Sequence, residues 1–336
     1  MRQSWFHRLA IIGVFLTFIV VVLGAYVRLS DAGLGCPDWP GCYGQLVVPS
    51  HPDAVMAANE AHPQRQLESD KAWKEMAHRY FASSLGLLIM ALVALAWRNR
   101  RDPKQPLRLP VILLAVVIFQ GILGMWTVTW LLKPLVVMGH LLGGLTTLAL
   151  MTWLVLRTGN YFAPAKLWQG RGLGRAAAWG LLVLTAQIAL GGWTSTNYAA
   201  LACPDFPACQ GQWWPTADFD EAFVLWRGLG VNYEGGVLDS PARTAIHLTH
   251  RIGALVTVLY LGIIALGLIV RGEQKSVRIG GMMLAAGLLL QVSLGIASVL
   301  GRLPLPVAVA HNGGAAILLI ILITVNHILN SESELV

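Results

Sequence analysis

Charge is what this chain most lacks. Asp, Glu, Lys and Arg make up 12% of its 336 residues, while 56% are hydrophobic. A soluble domain must solvate its outer surface and carries about twice that share of charge, so the soluble classes are excluded. A concentrated basic patch is also missing. The net charge of +7 is spread over short segments between apolar runs, and that dispersal argues against a nucleic-acid partner. Nor is there a clean small-x-small cleavage site behind the first apolar run, which is longer than a signal-peptide core. That run has a counterpart deep in the chain, so it reads as a first membrane helix.

What the chain does have is long apolar stretches. About 20 apolar residues cross a bilayer. Eight such runs fall at about Leu9–Leu29, His78–Trp97, Leu109–Trp130, Val136–Leu156, Ala176–Ser195, Thr244–Val270, Ile279–Leu300 and Leu305–Leu329. Backbone polar groups in lipid must be satisfied within the segment, so each run is a helix. The expected fold is an all-α integral membrane protein with eight transmembrane helices in contact with membrane lipid. More than half of the 24 Lys and Arg lie in Arg2/Arg8, Arg98–Arg108, Arg157–Arg175 and Arg271–Arg278, all on one side of that topology. The positive-inside rule makes this side cytoplasmic, with both termini inside.

Comparing the chain with itself exposes a duplication. Leu23-Gly-Ala-Tyr-Val-Arg-Leu-Ser running on to Cys36-Pro-Asp-Trp-Pro-Gly-Cys42 is matched by Leu190-Gly-Gly-Trp-Thr-Ser-Thr-Asn running on to Cys203-Pro-Asp-Phe-Pro-Ala-Cys209. Glu75-Met-Ala-His78-Arg79 recurs as His247-Leu-Thr-His250-Arg251, and Gln120-Gly-Ile-Leu-Gly as Gln291-Val-Ser-Leu-Gly. Val137-Met-Gly-His140 recurs loosely as Ala308-Val-Ala-His311. The order is kept at offsets of 167 to 172 residues. Each repeat holds four spans, so both halves cross the membrane in the same sense and their pseudo-twofold axis lies along the membrane normal. The division expected is residues 1–157 as one four-helix bundle, 158–175 as a cytoplasmic linker and 176–336 as the second bundle.

Of the nine histidines, His78, His140, His250 and His311 are paired by the repeat within spans. His78 lies 20 residues before Arg98 and His250 lies 21 before Arg271; His140 lies 17 before Arg157 and His311 lies 16 before His327. At about 1.5 Å per residue, all four fall near the outer ends of their helices, within about a turn of one depth. Two imidazoles per bundle at one level suit bis-histidine haem ligation. The bland alternative is a histidine bonded to a neighbouring helix, but intramembrane ionisable groups recurring in matched pairs point to function. A zinc site is weaker, because no cysteine or carboxylate cluster shares the depth except Glu75. His7, His51, His62 and His327 have no repeat copies and read as solvated or interfacial.

Arginine follows the histidine in both copies, as Arg79 and Arg251. Together with Arg28 these are candidates to pair with haem propionates, or else simply snorkel to the interface. Glu75, one turn before His78 and on its face, breaks the symmetry, since His247 stands there in the second half. A carboxyl beside a haem can exchange protons; the alternative is a helix-start acid favoured by the macrodipole. The four cysteines occupy the two outside loops, where thiols oxidise. One short disulfide per loop, Cys36 with Cys42 and Cys203 with Cys209, is the default; a shared four-cysteine zinc site is the alternative.

These motifs together, Glu75-x-x-His78-Arg79, His140, His250-Arg251, His311, the CPDWPGC-type loops and the four-plus-four duplication, resemble haem A synthase of the bacterial type over essentially the full length. The resemblance implies that His250 and His311 ligate the iron of a haem b cofactor, that His78 and His140 bind the substrate haem O, and that Glu75 serves the chemistry. The family converts the C8 methyl of haem O to a formyl group through hydroxylated intermediates, giving haem A for terminal oxidases. It also implies the bacterial inner membrane, with the cysteine loops on the periplasmic side. Partners would be haem O synthase (a farnesyltransferase), oxidase assembly factors and a second copy of the chain. No quinone or flavin motif is present, so the electron donor stays open. The rival readings are a di-haem electron-transfer cytochrome, with interchangeable halves, and a haem transporter or chaperone.

Overall fold

A computed structural model describes residues 2–159, 161–162 and 167–330. Its described elements are helices: α1 (Arg2–Leu29), α2 (Pro52–Ala61), α3 (Ser69–Arg98), α4 (Arg108–Thr129), α5 (Pro134–Thr158), α6 (Leu167–Thr196), α7 (Phe219–Ala222), α8 (Ser240–Arg271), α9 (Lys275–Leu300) and α10 (Leu305–Asn330). Eight of these are long and apolar enough to cross a membrane, so the chain is a multi-pass membrane protein. The short α2 and α7 lie in the two long loops. Pro52 opens α2, its missing N–H costing nothing there, and the Asp218 carboxylate caps α7 at 3.0 Å.

The helices pair in the same cyclic order in each half. In the first, α1 packs on α3, α3 on α4, α4 on α5 and α5 on α1; in the second, α6 packs on α8, α8 on α9, α9 on α10 and α10 on α6. The halves meet through α5 against α10, flanked by α1 against α10 and α5 against α6. The short connections repeat as well. Leu131 and Leu132 after α4, like Arg302 and Leu303 after α9, take φ between 51° and 63°. The second residue of each pair returns a bond into its helix, Leu132 N to Thr127 O at 2.8 Å and Leu303 N to Ser298 O at 2.7 Å.

Two helices start earlier than hydropathy suggests. The span expected to open at His78 opens at Ser69, because its first two turns stand clear of the apolar zone and balance their charges locally. Lys71 pairs with Glu68 at 2.9 Å and Lys74 with Asp70 at 2.5 Å. Likewise α6 begins at Leu167 rather than at Ala176, which takes in part of the expected linker; residues 160 and 163–166 of that linker lie outside the described residues.

The apolar cores occupy the bundle halves remote from the disulfide loops. In the first bundle the buried set begins at Leu85 on α3, about two turns beyond His78, and continues through Ile89, Leu92, Leu113, Met151 and Leu154. In the second it runs through Leu261, Ile264, Leu268, Leu284, Leu318 and Leu322, and reaches Leu145 and Leu148 of α5. Large buried hydrocarbon thus fills one end of each bundle. The histidine layers sit nearer the other.

The long loops tie the halves together. Tyr233 N donates to Leu131 O at 3.1 Å, and the Tyr233 ring is buried with Leu34, Val128 and Leu132 of the first half. Arg65 pairs with Glu234 at 3.2 Å. The buried Lys133 ammonium donates to Gly228 O and lies 3.1 Å from the centre of the Trp226 ring. Its burial holds the ammonium below the usual lysine value.

Candidate functional site

Each of the four repeat-paired histidines faces a glycine on a neighbouring helix of its own bundle. A Cβ on Gly24 of α1 would stand 3.1 Å from His78 Cε1, and one on Gly191 of α6 would stand 3.1 Å from His250 Cε1. A Cβ on Gly124 of α4 would lie 3.5 Å from His140 Cε1, and one on Gly295 of α9 would lie 3.0 Å from His311 Cε1. A methyl group at Gly24, Gly191 or Gly295 would press on the imidazole edge, and one at Gly124 would just touch it. The glycine therefore sets how close the ring lies to its neighbour. The same Leu-Gly pair supplies all four contacts, in Leu23-Gly24, Leu123-Gly124, Leu190-Gly191 and Leu294-Gly295.

The His78 and His140 ring centroids lie 6.4 Å apart, with their planes at 82°. A metal–imidazole bond of about 2 Å on each side of an iron, plus the ring radii, needs a separation of about 6 Å, so this pair fits axial ligation. Nδ1 of His78, of His140 and of His311 is buried without a hydrogen-bond partner. Buried polar atoms are normally satisfied, and three such imidazoles in matched places fit a ligand that engages the rings. Among the described residues no group of three or more His, Cys, Asp or Glu is placed to hold a lone metal ion, which disfavours zinc. The residues present fit haem.

Glu75 sits in the second turn of α3, not at the helix start, and is 5% exposed. Its Oε2 accepts from Cys36 N at 2.9 Å, and its Oε1 accepts from Arg79 Nη2 at 2.5 Å. Arg79 Nη1 in turn donates to the carbonyls of Asp38, Pro40 and Gly41. The second half repeats this seat with different chemistry. His247 Nδ1 accepts from Cys203 N at 3.4 Å, while Arg251 donates to Cys203 O, Asp205 O and Ala208 O at 2.9, 2.7 and 2.9 Å. Both arginines thus hold their loops and neither simply snorkels, because each loop turns several carbonyls toward one guanidinium. Arg28 donates to Ser195 O at 2.6 Å and lies 4.2 Å above the Tyr198 ring, bridging the halves. Nε of Arg28 and Nε of Arg251 are buried and unpaired.

The loops themselves are closed by disulfides, Cys36–Cys42 and Cys203–Cys209, one within each loop as expected; a shared four-cysteine zinc site is thereby overturned. Just past each ring a tight turn brings Cys42 against Gln45, and Cys209 against Gln212. Gly44 and Gly211 take φ of 74° and 73° there, a conformation that costs glycine little. Asp38 accepts from Tyr43 N and Gly44 N at 2.7 Å each; Asp205 accepts from Gln210 N at 2.6 Å and Gly211 N at 2.8 Å.

A model of the COX15-CtaA family, cytochrome oxidase assembly protein, matches residues 7–323. The chain is 45% identical over 334 residues to a heme A synthase of Shewanella oneidensis, covering 99% of this chain and 98% of the relative. It belongs to the haem A synthase family. A more distant haem A synthase, from Caulobacter vibrioides, is 27% identical over 332 residues and covers 90% of each chain. One from Rhizorhabdus wittichii is 26% identical over 332 residues, across 93% of this chain and 90% of the relative. Membership of the haem A synthase family therefore takes in both repeats.

Other side chains of the site were hidden by their distance in sequence. Gln187 Nε2 donates to His250 O at 3.1 Å and lies 3.1 Å from His250 Nδ1. Gln291 Nε2 donates to His311 O at 3.0 Å. The signal that could have exposed them is the string Gln-x-x-Leu-Gly, present at Gln120, Gln187 and Gln291. His7, read as solvated or interfacial, is held by Thr158 Oγ1 at 2.8 Å and Tyr161 OH at 2.5 Å, because α1 and α5 pack together. His62 stacks edge-on against Tyr43 with centroids 5.4 Å apart.

Proposed function

We propose that this chain oxidises the C8 methyl of haem O to a formyl group, giving haem A, and that its two bundles divide the work. The first half (1–157) holds substrate haem O between His78 and His140. The second half (176–336) holds a resident haem b between His250 and His311. When bound, that iron supplies a one-electron redox centre beside the substrate half. Everything else asked of the protein is binding, orientation and proton handling.

Glu75 is the group we assign to proton handling. The observation that carries this is the exchange at one matched position, where a buried carboxylate under one disulfide loop replaces an imidazole under the other. The Cys36 N–H and the Arg79 guanidinium fix both carboxylate oxygens one turn from His78. Hydroxylating a methyl group and dehydrating the resulting diol both require protons to be taken up and released, and a positioned carboxyl serves both steps. Arg28 and Arg251 each keep an unpaired buried Nε for a propionate. Arg79 is committed to its loop and to Glu75.

The setting we propose is the bacterial inner membrane, with both termini cytoplasmic and the disulfide loops on the periplasmic side, close to haem O synthase and to oxidase assembly. The test is expression together with haem O synthase, followed by extraction of the membrane haems. Haem A in the extract supports the enzyme. Unchanged haem O would favour an electron carrier or a haem transporter.

A further inference from the structure

Three of the four histidine helices share a second feature that the duplication alone does not require. Three residues after His140, His250 and His311 comes glycine: Gly143, Gly253 and Gly314. A Cβ at each would overlap a glutamine on the adjacent helix, namely Gln120 at Gly143, Gln187 at Gly253 and Gln291 at Gly314. The glycine is thus a notch in which an amide lies against the histidine turn. Two of the amides are anchored there by donating to the histidine carbonyl, from Gln187 at 3.1 Å and from Gln291 at 3.0 Å. Their Oε1 atoms are buried without a donor.

The fourth histidine departs on both sides of the notch. Val20 stands on α1 where the others have glutamine, in Val20-Val-Val-Leu-Gly24, and Phe81 stands three residues after His78 where the others have glycine. Losing the amide and the notch together is what steric coupling predicts, since either half alone is useless. His78 keeps its glycine-faced ring edge but has no amide beside it.

We propose that Gln187 is a positioning residue for His250, a ligand of the resident haem, that Gln291 and Gln120 steady the turns of His311 and His140 from their notches, and that His78 is the ligand released when substrate haem exchanges. This rests on the assignment of the four histidines as haem ligands. An imidazole bound to iron through Nε2 carries its proton on Nδ1 and needs an acceptor. In exchange for its bond to His250 O, the Gln187 amide can turn its unpaired oxygen toward His250 Nδ1, which lies 3.1 Å from its Nε2. That bond raises the basicity of the ligand and fixes the ring orientation, favouring the ferric state and slowing dissociation. Partners of this kind typically alter metal affinity by about 10–100-fold. A substrate site must discharge what it binds. One ligand with a glutamine in its notch and one without provide a fixed side and an opening side.

The experiment uses the full-length protein purified with its resident haem. Gln187→Leu should raise the haem midpoint potential and speed haem loss to apomyoglobin about tenfold. Gln187→Glu restores an acceptor and should move the potential in the opposite direction, a response that a purely packing role would not give. The paired substitution Val20→Gln with Phe81→Gly should slow release of added haem from the first half by a similar factor. His250→Ala is the control for the parent assignment. If it keeps the low-spin haem, the ligand assignment itself is wrong. If it loses that haem while Gln187→Leu and Gln187→Glu leave potential and release rate unchanged, the positioning role is overturned. Should Gln187→Leu fail to accumulate, the Glu variant and the Val20/Phe81 pair decide. An unaltered release rate in that pair removes the role given to His78.

Discussion

Beneath its disulfide loop the first bundle presents Glu75, whereas the second presents His247 at the corresponding place. Around these two residues nearly everything else is kept. Both loops are closed by a disulfide six residues in span, both seat a half-cystine N–H on the odd residue, and both are gripped by the arginine four residues further along the helix. Both also aim two glycine-faced imidazoles into their bundle. A difference concentrated on so closely repeated a frame is what the proposed division of duties between the halves calls for. An electron carrier built from two equal haem sites has no use for a carboxylate under one loop only. A site that holds a cofactor permanently and a site that processes and discharges a substrate do differ in this way.

The comparison breaks most sharply if the ligands are removed. His250→Ala or His311→Ala should abolish the low-spin spectrum of the resident haem and with it all formation of haem A. His78→Ala or His140→Ala should leave that spectrum and still stop conversion. Optical spectra of the purified variants, read beside extracted haem, check both statements. Loss of the resident spectrum from the first-half variants alone would reverse the assignment of the halves. Next in size is the odd position itself. Glu75→Gln keeps the shape and the Cys36 contact but cannot exchange protons, so the haem A to haem O ratio should fall by about 10²–10⁴-fold with haem content unchanged. His247→Gln should cost far less. Equal ratios in wild type and the Glu75 variant would leave the carboxylate as a support for the loop.

How much of this was legible in the residues depended on range. Eight spans followed from runs of apolar residues, and the duplication from strings such as Cys36-Pro-Asp-Trp-Pro-Gly-Cys42, because both signals are local. Hydropathy missed the first turns of α3, since Lys71 and Lys74 are polar yet helical through pairs three and four residues apart. The arginines illustrate the harder case. That Arg79 follows His78 is plain in the sequence. That its guanidinium is spent on carbonyls of residues about forty positions away is a fact of the fold. The glutamines fall between: Gln120 and Gln291 stand out when one half is laid on the other. Gln187 pairs in that alignment with Val20, so its kinship with the others emerges only when all four helices are compared.

A milder way to sharpen the contrast is to open one loop at a time. Cys36→Ser with Cys42→Ser, and Cys203→Ser with Cys209→Ser, each free a closed ring of seven residues. By chain entropy each pair should lower stability by about 2 kcal/mol. The stability costs should be alike while the turnover costs are not, because only the first loop's Cys36 N–H binds the carboxylate assigned to proton handling. Thermal melts and haem ratios on the two double variants separate these effects. Matching losses of turnover would mean that the loops act only as lids.

The smallest expected effect is a pH dependence in the second loop. Asp205 accepts two backbone N–H bonds from the turn just past the ring, and the Gly211 N–H foremost, with Gln210 N–H behind it, holds its carboxyl below the ordinary value of 3.8. A carboxylate whose folded value is depressed binds fewer protons in the folded loop than in the open one. Its contribution is therefore complete above about pH 4 and is lost as the pH falls through the lower, folded value. Because the side chain is exposed to solvent, the effect should be slight and should weaken with salt. Proteolysis of the Cys203–Cys209 segment at neutral pH and near pH 3, with an acid-active protease used at both, measures it. Wild type should become more susceptible at the acid end. Asp205→Asn, which has no charge to lose, should be equally susceptible at both. If the two proteins respond alike to acid, the turn is held by its backbone and disulfide, and the Asp205 charge has no part in it.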